Sequence, residues 1–428
     1  MLHRRLRAIQ EEHDMQYPEL FTVTQHFDRT SIADVPQAVR KAIEEMPAIK
    51  ERAKPGMSVA LLVGSRGIAN LPEIVKATIE CMRDLGLKPF ITPCMGSHGG
   101  GTAEGQTELL DGLGVSEKTM GVPIHAEMDV ETLGQIPDGP GVYFSREALK
   151  ADLIVPIVRN KMHTRLVGNI GSGFCKMLCI GAGKISGAQE YHRYGVEKPM
   201  RPAAEMIIEK IDKLFFGVAV VENALDRIHT VKAVLPKDFV EQDIELYKLA
   251  NSMFPSIPVK KSDVLIVEKM GKDISGAGAD VNVIGKWRRD GGKRDPDYDI
   301  QAVLDITDVS HGNAMGMGNF DLSTEYFRDQ LDLHATYTNA ISSTRFRAAR
   351  LPLIVKNDQV LLETIINSRA EPEKLSIMVI ESTAELEHFW ITKHLFDQLK
   401  DNPKVSVSDK PQPFRFDGNG RMIRFDHN

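Results

Sequence analysis

Along this chain, short unbroken apolar runs alternate with longer stretches whose apolar positions recur every three or four residues. The first pattern predicts buried strands and the second amphipathic helices. Residues 34–52 carry Val35, Val39, Ile43, Met46 and Ile49 at helical spacing. Ser58–Val63 (SVALLV) reads as a strand, followed by Gly64-Ser65-Arg66-Gly67 and a helix over 70–85. Pro72 falls in that helix's first turn, where proline is tolerated, and Gly86 ends it. Lys88–Pro93 is the next strand, which completes a βαβ unit. Further on, 115–150 reads as a small β-rich excursion, 151–158 as a buried strand and 202–213 as an amphipathic helix. Segments 215–221 and 227–234 read as a hairpin, and 237–256 as a helix.

Pro255 and Pro258 mark a boundary, which divides the chain into domains over 1–257 and 258–428. The second domain opens on a strand at 263–268. Its tail predicts a strand at 375–380, a helix over 384–399 and a last strand at 414–416. The fold class is therefore α/β, with two α/β domains and mixed or largely parallel sheets.

Composition narrows the function. The 428 residues exceed one ordinary core, which agrees with two domains. The net charge of -6 offers no basic footprint for nucleic acid. Apolar runs such as 153–158 are too short to span a membrane, and the basic N-terminus lacks the apolar stretch of a secretory signal. Cysteines stand at 81, 94, 175 and 179 without a CxxC pair, so neither a disulfide framework nor a structural zinc site is expected. A reducing cytoplasm fits, and Cys175 and Cys179 read as small core residues.

Parallel strands joined through helices place ligands at their C-terminal ends. The loop after Pro93 runs Met95-Gly96-Ser97-His98-Gly99-Gly100-Gly101-Thr102 into a helix. Glycines ahead of a helix N-terminus suit a phosphate, with Gly96, Ser97, Gly99, Gly100 and Thr102 as its contacts; the alternative is a flexible turn. His98 sits in the middle of it. A second glycine-rich stretch, 157–194, presents His163, Lys176 and His192. It cannot be one regular helix, because each interior glycine costs about 1 kcal/mol relative to alanine. It reads as backbone that approaches a ligand closely. Lys176 lies among Phe174, Met177, Leu178 and Ile180, where a lysine is either snorkelling or a functional amine. Arg66 and Lys272 are candidate anchors for a carboxylate or phosphate, or else solvated surface charges. Residue chemistry alone points to a phosphate-bearing cofactor or substrate, two proton-transfer histidines, a buried lysine and one metal.

Four ordered blocks then stand out: GSHGGGTAEGQ (96–106), the His163…Lys176…His192 run with SGFCKMLCIGAGK, GKDISGAGADVNVIGK (271–286), and SHGNAMGMGNFD with YTNAISST (310–344). Together they resemble the nickel-dependent lactate racemase superfamily over most of 56–350. The resemblance implies an active site in a cleft between two α/β domains. It implies a nickel-pincer nucleotide (the nickel complex of pyridinium-3,5-bisthiocarboxylic acid mononucleotide) joined covalently to Lys176, with His192 completing a square-planar nickel. It makes His98 and His163 the acid and base, and Arg66 a holder of the substrate carboxylate. The implied activity is a racemase or epimerase that inverts C2 of a 2-hydroxy acid by hydride transfer to and from the cofactor. Net redox or elimination chemistry with the same cofactor, or a nucleotide-binding homologue without catalysis, are the alternatives. The family's second-domain tyrosine-glutamine-lysine motif has no counterpart, and 271–286 stands in its place. A 2-hydroxy acid larger or more polar than lactate is therefore expected. The partners implied are that small molecule and, transiently, the enzymes that build the cofactor; homo-oligomerisation is left open.

Overall fold

The computed structural model describes residues 17–65, 67–162 and 168–427. It divides into two compact units, one formed by 28–254 and the other by the residues before and after it. The strand β1 (Leu20–Gln25) thus belongs with the later unit, an arrangement that an N-terminal domain over 1–257 does not contain. The cause is pairing: β1 lies antiparallel between two strands of the tail.

Within 28–254 the chain runs through α1 (Val35–Glu44), β2 (Ser58–Val63), α2 (Leu71–Asp84), β3 (Lys88–Pro93) and α3 (Ala103–Gly112). The hairpin β4 (Val130–Gln135) and β5 (Gly141–Ser145) follows, then β6 (Leu153–Arg159). The helical stretch α4 (Phe174–Lys176), α5 (Lys184–Tyr194) and α6 (Glu197–Lys210) leads to β7 (Gly217–Glu222), β8 (Ile228–Val234) and α7 (Phe239–Met253). The main sheet has the order β3-β2-β6-β7-β8, parallel except for the β7–β8 hairpin.

Strand β2 shows why this sheet forms. Val59, Leu61 and Val63 pack on one face with Ile74, Val75 and Val39 of α2 and α1. Ala60 and Leu62 pack on the other with Phe174, Leu178 and Ile207. Both faces are covered, so the strand reads as a continuous apolar run rather than an alternating one. Truncating Leu61 or Leu62 to alanine would cost about 2–5 kcal/mol.

The other unit is built on an eight-stranded sheet. Its remaining strands are β9 (Lys261–Met270), β10 (Asp297–Ile306), β11 (Leu322–Thr324), β12 (Leu353–Val355), β13 (Ile377–Ile380), β14 (His388–Thr392) and β15 (Val405–Gln412). The order is β12-β11-β10-β9-β13-β14-β1-β15. The half from β12 to β13 is parallel, and β14, β1 and β15 are antiparallel. Val264, Ile266, Ala302 and Leu304 meet α8 (Asp358–Asn367) through Leu361, Leu362 and Ile365.

The tail departs from expectation. Residues 388–392 form a strand, and the predicted 384–399 helix shrinks to α9 (Lys393–Leu399). Phe389, Trp390 and Ile391 are aromatic or β-branched and buried, and pairing with β1 and β13 makes this segment a strand. The last strand is β15; Phe416 makes only an isolated bridge to Met422.

Candidate active site

In the 28–254 unit, β2 connects to β3 on one side while β6 connects to β7 on the other. The strand order reverses between β2 and β6, where open α/β sheets hold their ligands. Three loops leave this edge: Gly64-Ser65 after β2, 94–102 after β3, and Asn160-Lys161 after β6. Arg66 and His163 continue the first and third of these and lie outside the described residues.

The loop after β3 is built to one shape. Gly99, Gly100 and Gly101 have φ of 62°, 67° and 69°, a region that side chains disfavour. A Cβ on Gly99 would lie 2.5 Å from the Gly105 carbonyl carbon, and one on Gly101 would lie 2.7 Å from Ile185 Cδ1. A Cβ on Gly100 would meet open space. The N–H groups of Ser97, Gly99 and Gly100 have no acceptor among the described residues. They are backbone donors of the kind that bind anions.

The other predicted contacts have structural duties. Gly96 is buried against Ile180 and Ala188, and its carbonyl accepts from Gln106 Nε2 at 2.9 Å. Thr102 is the N-cap of α3: its Oγ1 accepts from Gly105 N at 3.1 Å and donates to the Gly99 carbonyl at 3.3 Å.

His98 is exposed, and its Nδ1 lies 2.6 Å from Ser65 Oγ. That contact joins the loops of two adjacent strands. A hydroxyl both donates and accepts, so Ser65 can partner Nδ1 in either protonation state of the ring.

The stretch with Lys176 and His192 is helical but irregular. α4 passes into a π-turn over Met177–Gly181, closed by Ala182 N donating to the Met177 carbonyl at 2.8 Å. Such turns concentrate at functional sites. α5 then begins at Lys184, whose φ is 53°.

The glycines here let the chain pack on itself. A Cβ on Gly173 would lie 2.2 Å from Asp243 Oδ1, one on Gly181 would lie 2.7 Å from the Cys94 carbonyl oxygen, and one on Gly183 would lie 2.4 Å from that of Cys179.

Asp243, on α7 and 1% exposed, anchors the start of α4. Its carboxylate accepts from Phe174 N at 2.9 Å, Cys175 N at 2.8 Å and Asn160 Nδ2 at 2.8 Å. Burial holds this carboxyl above the usual aspartate range, and those hydrogen bonds offset only part of that rise. Phe174 stacks on Phe239 with centroids 4.1 Å apart, which fixes the same helix end through apolar contact.

Lys176 is thereby held half-buried, its Nζ donating to Ser172 Oγ at 3.5 Å. Cys175 and Cys179 are core residues, as read from the sequence. Burial raises both thiols, that of Cys179 to about 12, which disfavours the thiolate a metal needs.

On α5, Ile185 and Ala188 face Gly101 and Gly96, and the half-buried His192 follows one turn beyond Ala188 on that side. The loop of His98 and the helix of His192 are thus packed together. Among the described residues no group of three or more His, Cys, Asp or Glu is arranged to hold a metal. A metal that brings its other ligands within a cofactor needs only one imidazole from the protein.

Lys272 belongs to the other unit, in the loop leaving β9. Its N–H donates to Ser310 Oγ at 2.7 Å, and its Nζ donates to Asn339 Oδ1 at 2.5 Å and the Gly276 carbonyl at 3.0 Å. A Cβ on Gly271 would lie 2.0 Å from Thr307 Oγ1, so this loop too is closely fitted.

Sequence reasoning missed Ser65, Gln106, Glu222 and Asp243. Glu222 pairs with Arg159, and its Oε1 accepts from Ala69 N at 2.7 Å, fastening the loop after β2 to the end of β7. Ser65 had a signal, its place in a strand-end loop. Asp243 had none, being a helix acid with no motif around it.

No family model and no curated protein matches this chain. Among solved structures, the lactate racemase apoprotein from Thermoanaerobacterium thermosaccharolyticum is similar, with 13% identity and a TM-score of 0.49. The match covers 84% of this chain and 100% of that one. A likeness this slight has no bearing on activity.

Proposed function

We propose that the chain is a racemase or epimerase of 2-hydroxy acids that works with a nickel-pincer nucleotide joined to Lys176. The observation that carries this reading is the packing of the His98 loop on the helix that bears His192, one π-turn beyond Lys176. Two of the four resembling blocks thereby meet at one sheet edge.

The residues fit the group. The N–H groups of Ser97, Gly99 and Gly100 are donors for a phosphate, and Gly100 leaves room beside them. The Lys176 amine supplies the point of attachment, and the His192 imidazole supplies one nickel ligand. When bound, the cofactor supplies the hydride acceptor, chemistry that no side chain can perform.

The protein's part is orientation and proton transfer. His98, steadied by Ser65, takes the hydroxyl proton of one enantiomer or returns it to the other. His163 takes the opposite role, because inversion needs an acid-base group on each face. Arg66 holds the substrate carboxylate. A 2-hydroxy acid larger or more polar than lactate is the expected substrate.

The test is intact mass and nickel analysis of protein produced together with cofactor-biosynthesis enzymes, with chiral chromatography of a 2-hydroxy acid panel. A cofactor-sized adduct that disappears in Lys176→Ala, about one nickel per chain, and inversion of one panel member are expected. His192→Ala should keep the adduct and lose nickel. His98→Ala and His163→Ala should keep both and lose inversion. An unmodified, nickel-free protein, under conditions that load a known racemase, refutes the reading.

A further inference from the structure

Lys184 is a lysine of the site stretch to which the proposed function assigns no task. It is 0% exposed, and its Nζ donates to the Pro93 carbonyl at 2.6 Å. Pro93 is the last residue of β3, immediately before the loop that carries His98. Lys184 is also the first residue of the helix that carries His192, held there at a left-handed φ of 53°. One side chain therefore ties the two elements on which the candidate histidines sit.

Gln106, likewise fully buried, works from the opposite side. Its Nε2 donates to the Gly96 carbonyl at 2.9 Å and the His98 carbonyl at 3.3 Å. Buried side-chain donors thus take the inward-facing carbonyls of residues 93, 96 and 98. With its carbonyls drawn in, the loop keeps the Ser97, Gly99 and Gly100 N–H groups for a ligand, and His98 stays beside Ser65. Burying a lysine amine is costly and a surface lysine would not pay that cost without a return in structure. Burial pushes Lys184 below the ordinary lysine range, against the raising pull of Cys94, Glu127 and Glu147.

We propose that Lys184 is a positioning residue that sets the His98 imidazole against Ser65 by holding the Pro93 carbonyl, with Gln106 as its counterpart beneath the loop. This rests on the functional reading only for its consequence in catalysis; the positioning itself is a property of the protein without cofactor.

The experiment is ¹⁵N NMR of histidine-labelled protein without cofactor, comparing Lys184→Met and Gln106→Leu with wild type. Ser65→Ala gives the His98 Nδ1 shift for a ring without the Ser65 hydroxyl beside it. His229, whose Nδ1 lies 2.7 Å from Thr230 Oγ1, is the internal control. In both variants the His98 Nδ1 signal should move toward its Ser65→Ala position while His229 stays fixed. In enzyme loaded with cofactor, kcat should fall roughly 10- to 100-fold with KM changed less than twofold, the pattern of misplaced acid-base catalysis. A folded Lys184→Met or Gln106→Leu protein with an unmoved His98 signal overturns the proposal. If Lys184→Met does not fold, Gln106→Leu decides it alone. Absence of turnover in the wild type would sink the functional reading and leave the NMR result standing.

Discussion

Replacing Asp243 by alanine should loosen the helix that presents Lys176. The substitution leaves Phe174 N, Cys175 N and Asn160 Nδ2 facing a gap, each now within 2.9 Å of the carboxylate. A buried donor stripped of its acceptor costs about 1–3 kcal/mol. Three of them outweigh the carboxylate desolvation recovered, and a net loss of about 3–5 kcal/mol follows, as for other broken buried charge networks. Asp243→Asn keeps one acceptor oxygen but turns an amide N–H₂ toward a backbone N–H, so about 2 kcal/mol is expected.

Gly173→Ala attacks the same junction from the other side, since its Cβ would lie 2.2 Å from Asp243 Oδ1. With the carboxylate gone that contact disappears, and the one at 2.5 Å to Asn160 Nδ2 remains. The two substitutions should therefore be less than additive, by about 1 kcal/mol or more. Urea unfolding of the single and double variants gives the coupling, and hydrogen exchange locates it. Amides of 174–181 should lose protection in Asp243→Ala while those of β2 keep theirs. A loss under about 1 kcal/mol, or strict additivity with Gly173→Ala, would refute the account of how this helix is anchored.

Three further outcomes are expected. Glu268 is buried at the β13 side of β9, with Oε1 lacking a partner among the described residues and Arg424 3.6 Å from Oε2. Burial pushes its carboxyl up from 4.5 to about 7, so the folded protein keeps a proton that the unfolded chain releases. Stability should fall as pH rises from about 4.5 to 7, by at most about 3 kcal/mol, and Glu268→Gln should abolish that slope in urea unfolding at pH 5 and 8. Gly99→Ala should cost about 2–4 kcal/mol, combining a steric clash with a left-handed alanine, whereas Gly100→Ala, with space around it, should cost about 1 kcal/mol. Denaturation midpoints of the two variants check this; equal costs would contradict the loop geometry. Ser65→Ala should leave stability within about 0.5 kcal/mol yet change the pH profile of turnover, because the partner it removes serves an exposed ring.

The parts of the fold that were legible are those where local and tertiary demands agree. Val59–Val63 is apolar throughout because helices cover both faces. Residues 384–399 misled because Leu386, Phe389, Trp390 and Leu395 also suit a helix, and only the strands on either side decide otherwise.

At the site, residues that carry chemistry on loops were visible as type and spacing. Those that hold the loops were not. Lys184 reads as a surface lysine until the fold buries it, and Asp243 is 68 residues or more from the amides it caps. Glycines mark close approach in the sequence. In 171–187 it is the protein's own backbone and carboxylates that come near.

Strand β1 has a consequence for the making of the protein. Leu20 pairs with Thr392, so during synthesis this strand waits for partners about 370 residues later. At ordinary elongation rates that is roughly 20–70 s. Throughout that interval an apolar LFTVTQ segment has neither neighbour in its sheet, while 28–254 holds all the strands of its own sheets and can close before the tail is made. The nascent chain should therefore acquire its Lys176 helix well before its eight-stranded sheet, and a chaperone that captures β1 would act in that window.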